Sequence, residues 1–329
     1  GADADHFRHK ANYLKDVVDA VNVTDNQTAV VRFCSMAASR ILLDMGMEPV
    51  MQMVTRDMNR IGLQSNILGA AAMGIKNLLC LTGDHQSFGD HPQAKNVHDL
   101  DSILLANTVR MMRDEGKMIS GTPVVGRPQM FIGCAANPFA DPQEFRVVRM
   151  AKKINAGAQF IQTQCIYDMD RWRLFMEMAN DMGLTEKAYI MAGITPLKSV
   201  GMANYMKKFV PGLSVPDYYI TRLRGVPKDK QAAEGIKIAV EQIHECLEMK
   251  GIAGIHLMAI EWEEKVPEIM EAARQMALVQ RVGGGTGVDL SGLRPKGSIV
   301  RSSGGTTDGP LSFLRMLSGV TDAIQQGAF

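Results

Sequence analysis

Residues 77–92 read NLLCLTGDHQSFGDHP, and the change of character inside them decides the fold. Leu78, Leu79, Cys80 and Leu81 follow one another as in a buried strand. Thr82, Gly83 and Asp84 then end the apolar run, and a polar, glycine-punctuated loop begins. Six other short apolar runs share this grain: 17–24 (VVDAVNVT), 49–55 (PVMQMVT), 129–136 (QMFIGCAA), 159–166 (QFIQTQCI), 188–194 (AYIMAGI) and 253–260 (AGIHLMAI). Stretches of helical periodicity separate them. At 235–250, for example, Ile236, Val240, Ile243 and Leu247 share one face and Gly251 is placed to end the helix. Asp141, Pro142 and Glu144 read as an N-cap, a proline at the first helical position and an acid at the third.

Strand and helix alternate throughout, which predicts an α/β fold with a parallel sheet wrapped by helices, because parallel neighbours need crossover connections. None of the first four runs is followed by G-x-G-x-x-G, so a (βα)8 barrel is expected rather than a dinucleotide-binding open sheet. The barrel is expected over residues 1–281 and a Gly/Ser-rich C-terminal tail over 282–329, with one amphipathic stretch at 311–324. Residues 283–287 (GGGTG) follow the last run with no helix nucleus behind them and read as linker, not as a phosphate loop.

The chain has 329 residues, 46% of them hydrophobic, enough to bury one large core. Thirty-six basic residues against thirty-five acidic ones leave a net charge of +1, which argues against nucleic acid or an anionic membrane as partner. Five unclustered cysteines (Cys34, Cys80, Cys134, Cys165, Cys246) suit a reducing cytoplasm, and there is no signal peptide, lipidation motif or long apolar span. The twenty-four methionines read as core and helix-face packing. The chain opens on Gly1, directly before a helix-like segment, which suggests that a natural N-terminus precedes it.

In a barrel the chemistry gathers where the strands end, so those positions are the ones to inspect. The runs end on Thr24-Asp25-Asn26-Gln27, Thr55-Arg56-Asp57, Thr82-Gly83-Asp84, Asn137-Pro138, Gly193-Ile194-Thr195-Pro196 and Glu261-Trp262-Glu263, with Gln52, Gln162 and Gln164 inside two of them. Hydroxyls, amides and few carboxylates suit a ring of hydrogen-bonding groups around a heteroaromatic ligand better than a metal cage. His85, His91 and Asp90 read as a solvated loop, not a metal site.

Five segments, DAVNVTDNQ (19–27), TRDMNRIGLQSNILGAAAMGIKNLLCLTGD (55–84), INAGAQFIQTQ (154–164), AGITPLKS (192–199) and GIAGIHLMAIEWEE (251–264), make the chain resemble the methylenetetrahydrofolate reductases, flavin-dependent barrels of one-carbon metabolism. Leu81-Thr82-Gly83-Asp84 matches the signature at the end of that family's fourth strand. The resemblance spans residues 1 to 270 and implies reduction of 5,10-methylenetetrahydrofolate to 5-methyltetrahydrofolate by hydride transfer from reduced FAD. NADH, NADPH or a partner redox subunit would supply the electrons, in a homo- or hetero-oligomer. It also implies roles. Thr24, Asp25, Gln27, Gln52, Thr82, Gly83, Asp84, Asn137, Asp141, Lys152 and Lys153 fall on FAD contacts, with Gln52 where many members have His and the two lysines near the phosphates. His98 matches an adenosine-side contact only loosely. Asp84 and Gln164 carry the catalytic and pterin-facing roles, and Met206, Ile260 and Trp262 fall at substrate positions.

Numbered against the family, the seven runs are strands two through eight. The family's strand-one glutamate, its general acid, has no match in the residues given. Either it lies upstream of them or the acid is lost, and the upstream position is the expected one, since a missing strand would leave two barrel edges unpaired. Two other readings stay open: a pterin-binding methyltransferase barrel, and a non-catalytic or electron-relay subunit of a larger reductase.

Overall fold

The computed structural model describes residues 1–281, so the expected linker at 283–287 and the tail at 282–329 lie outside the described residues. The seven strands are β1 (Val21–Val23), β2 (Pro49–Val54), β3 (Asn77–Leu81), β4 (Phe131–Ala136), β5 (Phe160–Cys165), β6 (Tyr189–Ile194) and β7 (Ile252–Leu257). All pair in parallel, in the order β1-β2-β3-β4-β5-β6-β7. Among the described residues ten α-helices connect and flank them. Helix α1 (Ala4–Asn12) precedes β1, then α2 (Ser35–Asp44), α3 (Arg60–Ala72), α4 (Ser102–Arg110), α5 (Gln143–Asn155) and α6 (Met169–Asp181) fill the first five crossovers. The last crossover holds α7 (Val200–Phe209), α8 (Asp217–Arg224) and α9 (Gln231–Glu248), and α10 (Val266–Arg281) follows β7. The sheet curls into a partial (βα)8 barrel of seven strands.

All seven apolar runs contain strands, whose alternate residues serve the helix layer and the barrel interior; β2 to β6 are largely buried, whereas β1 and β7 are mostly only partly so. On β2, Met51 and Met53 join the main core under the helices with Leu63, Ile67 and Leu78, whereas Val50 faces inward with Leu79 and Phe160. Phe131 and Phe160 stack with centroids 5.3 Å apart and plug the interior. Gly133 makes this possible, since a Cβ there would sit 2.1 Å from the Phe160 ring.

Three local expectations are corrected. The first strand begins at Val21, not at residue 17, because the chain before it is still turning, with Asp16 at φ 62°. Asp141 does not cap α5. Pro142 takes extended backbone (ψ 135°) as the residue before the helix, and the Asp141 carboxylate instead pairs with Arg171 at 2.8 Å. At α3 the capping rule holds, with Asn59 Oδ1 accepting the Ile61 and Gly62 amides; α9 ends earlier than expected, at Glu248, where Met249 is already extended (ψ 132°), and Gly251, at φ 91°, serves the turn into β7. Among the described residues no helix is long and apolar enough to cross a membrane.

Candidate active site at the strand ends

The loops after β1, β2 and β3 are tied together by one buried cation. Arg56, directly after β2, is 2% exposed. Its Nη1 donates to the Asp84 carbonyl at 2.9 Å, its Nη2 to the Asn26 carbonyl at 3.2 Å, and its Nε and Nη2 to the Asp57 carboxylate at 2.9 and 2.7 Å. The fork spreads its donors over three nitrogens and so spans partners on three loops, a reach that an ammonium, with every N–H on one nitrogen, does not have. The hydrogen bonds it donates to Asp57, helped by Asp25 and Asp84 nearby, hold the guanidinium pKa above its ordinary value.

The carboxylate that ends β3 has a definite partner: Asp84 Oδ2 accepts the Thr28 amide at 2.9 Å, fastening the β3 loop to the β1 loop. That β1 loop needs fastening, because Asn26, Thr28 and Ala29 all carry positive φ (43°, 58° and 57°), a conformation costly for residues with a Cβ. Asp90 contributes too, accepting the Val31 amide at 3.3 Å. Asp25 Oδ2 accepts the Val54 amide at 3.0 Å, continuing the β1–β2 ladder with a side chain, and burial raises its pKa despite that bond. Thr82 Oγ1 accepts the Ser102 amide at the start of α4 at 3.1 Å. Thr24, Asp25, Gln27, Thr82, Gly83 and Asp84 are thus brought to one stretch of rim.

Beneath it, Asn22 Nδ2 donates to Gln162 Oε1 at 2.7 Å and meets His256 Nε2 at 3.0 Å, linking β1, β5 and β7 across the interior. Burial pushes the His256 pKa down to about 4, so the ring is neutral at pH 7, and accepting from Asn22 at Nε2 places its proton on Nδ1. Gln52, also inward, is half-buried on β2.

The remaining expected residues are spread more widely. Gln164 sits at the end of β5 with Oε1 accepting the Cys165 amide at 3.2 Å. Asn137 Oδ1 accepts the Phe139 amide at 3.0 Å, stiffening the turn after β4. Asp141 faces outward in its pair with Arg171. Lys152 and Lys153 lie in the last turn of α5, and the two part company: Lys152 is exposed, whereas Lys153 reaches inward to donate to the Ala135 carbonyl at 2.6 Å. Burial lowers the Lys153 pKa. His98 is exposed with φ 43°. Met206 is buried in a satellite core with Leu197, Tyr219 and Leu223. Ile260 and Trp262 follow β7 and frame Lys198, whose Nζ lies 5.2 Å from the Trp262 ring centroid.

Asn22, His256 and Lys198 were not singled out by sequence reasoning, and Arg56 was named only as one of the residues that end its run. The signal for Arg56 was an arginine placed directly after an apolar strand, where a free charge would be unusual. For Asn22 and His256 it was a polar side chain at an inward position of a strand.

Comparison with known proteins gives two distinct matches. The family model of methylenetetrahydrofolate reductase matches residues 5–274, and that of the ribonucleotide reductase barrel domain matches residues 256–328. A probable methylenetetrahydrofolate reductase (NADPH) of Caenorhabditis elegans is 24% identical over 255 residues, 75% of this chain and 35% of that protein. The chain therefore spans about a third of the length of that relative. A vitamin B12-dependent ribonucleoside-diphosphate reductase of Thermoplasma acidophilum is 42% identical over 64 residues, 20% of this chain and 8% of that protein. Among solved structures, an uncharacterized Clostridium thermocellum protein that binds two copies of 5-methyl-5,6,7,8-tetrahydrofolic acid superposes with a TM-score of 0.54 at 13% identity. It covers 85% of this chain and 91% of its own, a likeness of fold.

Proposed function

The chain belongs to the methylenetetrahydrofolate reductase family, and from that premise we propose that its strand-end mouth binds FAD and reduces 5,10-methylenetetrahydrofolate to 5-methyltetrahydrofolate, with NADH or NADPH as electron donor. The observation that carries this reading is the Arg56–Asp84–Thr28 fastening, which holds the family's Leu-Thr-Gly-Asp turn rigid at the rim. The residues present fit a flavin. Gly83, at φ 89°, lets the turn pack tightly on Arg56 and Val54, where a Cβ would come within 3.1 Å of both, and so sets Asp84 at the rim. Thr24 and Gln27 are exposed and Gln52 half-buried, and among the described residues their side chains make no hydrogen bond, leaving them free for polar ring edges. When bound, reduced FAD would supply the hydride for the substrate's methylene carbon. Asp84, positioned by the Thr28 amide, would favour positive charge on the pterin, and Gln164 would orient the pterin edge by hydrogen bonds. Residues 1–281 are the unit to which this reading applies, and 282–329 are proposed as an appended segment.

Titration of the protein with FAD is expected to give a saturable shift of the flavin spectrum, and a protein that takes up no flavin would sink the proposal. Asp84→Asn is expected to keep the fold and the flavin, because an amide oxygen can still accept from Thr28. Methylenetetrahydrofolate reduction should slow by about ten-fold, since a fixed charge is lost opposite a developing cation. Flavin reduction by the nicotinamide donor should change less. Stopped-flow measurement of the two half-reactions separates these, and equal losses in both would make Asp84 a loop fastener only.

A further inference from the structure

The pairing of β5 with β6 is regular as far as Gln162, which lies opposite Met191, and resumes with Cys165 opposite Gly193. Between those points β5 takes three steps and β6 two, so β5 carries one extra residue, a bulge at Thr163 and Gln164. Two residues hold it in shape. The Gly193 amide donates to Thr163 Oγ1 at 2.8 Å, in a place where both residues are buried, so a side-chain hydroxyl joins the ladder at the irregular step. Gly193 itself lacks the Cβ that would sit 2.3 Å from the Thr163 carbonyl oxygen and 2.9 Å from that of Gln164.

A bulge breaks the alternation of a strand and re-aims the side chain it carries. Gln162, before it, bonds Asn22 in the interior, and Cys165, after it, is buried in the satellite core with Leu197 and Met206. Gln164 stands between them at the C-terminal end of the strand and is only partly buried. Its Oε1 accepts the Cys165 amide at 3.2 Å. Because a backbone N–H needs an acceptor, this bond turns the carboxamide oxygen to the strand, and among the described residues the NH2 on its other side has no partner. We propose that Thr163 is a positioning residue: through the bulge that it ties to Gly193, it holds Gln164 as a hydrogen-bond donor toward the mouth. The ligand group that Gln164 meets is then an acceptor, a carbonyl oxygen or an unprotonated ring nitrogen of a pterin. This rests on the folate reading above and assigns what aims the side chain given there to the pterin edge.

A double-mutant cycle on the full chain, read as the affinity for 5-methyltetrahydrofolate by calorimetry, tests this. Thr163→Val keeps the shape of the side chain and removes the hydroxyl. It is expected to weaken binding by about ten-fold, whereas Thr163→Ser should stay within about two-fold of the parent. Made in a Gln164→Ala background, Thr163→Val should add less than about a two-fold loss, because a residue that acts through Gln164 then has nothing left to position. A second variant decides if Thr163→Val does not fold: Gln164→Glu can still accept the Cys165 amide but has no NH2, and it should lose as much affinity as Gln164→Ala. Equal effects of Thr163→Val with and without Gln164 would make Thr163 a tie between strands only, and Gln164→Glu binding like the parent would show that Gln164 serves as an acceptor. Either result would overturn the inference and leave the folate reading standing. An unaltered protein that does not bind 5-methyltetrahydrofolate would overturn both.

Discussion

Arg56→Met is expected to lower the unfolding free energy by about 3 kcal/mol, because removing one member of a buried charged network strands its partners. The carbonyls of Asp84 and Asn26 would each lose a charged donor, and the β1 loop would lose one of its fastenings. For a chain of this size the midpoint of thermal unfolding should fall by roughly 4–5 °C. Arg56→Lys should recover little, since an ammonium gathers its donors on one nitrogen and cannot span the acceptors that the fork reaches from three. Asp57→Asn should be far milder, within about 1 kcal/mol, because that carboxylate is 44% exposed and water can take the place of its bond. Denaturant and thermal unfolding of the three variants measure this. An Arg56→Met protein that melts within a degree of the parent would show that the loops hold together without the guanidinium.

Between pH 6.5 and about 4 the protein is expected to lose stability through His256. Burial depresses the folded-state pKa from 6.5 to about 4, so in that window the unfolded chain binds a proton that the folded one refuses. The stabilisation is therefore complete above pH 6.5 and lost as pH falls toward 4, with a ceiling of about 3 kcal/mol at 1.36 kcal/mol per pKa unit. Asn22 and Gln162, the side chains bonded to one another beside the ring, are not titratable and cannot absorb the charge. Asp25 works in the opposite sense, since its raised pKa makes the folded state the better proton binder as the pH drops. The difference between the parent and His256→Gln isolates the histidine: the variant should show a flatter pH dependence between 6.5 and 4. Parallel curves for the two proteins would mean that the folded barrel accommodates the protonated ring.

By itself the sequence determined the architecture. Seven apolar runs separated by helical periodicity allow a parallel sheet and little else, and periodicity and capping are local properties that survive without knowledge of neighbours. The polar strand ends were legible for the same reason, because position along a strand already says which end of a barrel a residue reaches. Tertiary structure alone decided what those polar groups do. Lys152 and Lys153 are adjacent in sequence, yet one faces solvent and the other bonds the Ala135 carbonyl, since consecutive helical residues point about 100° apart. Asp141 looked like a helix cap and is an ion-pair partner of Arg171, because the extended backbone of Pro142 moved the helix start out of its reach. Arg56, Asp84 and Thr28, or Asn22, Gln162 and His256, lie far apart in the chain and meet only once the barrel has curled. Partners of that kind are chosen by three-dimensional proximity in a site short of water, where each buried donor must find an acceptor, and no local pattern encodes which one it finds.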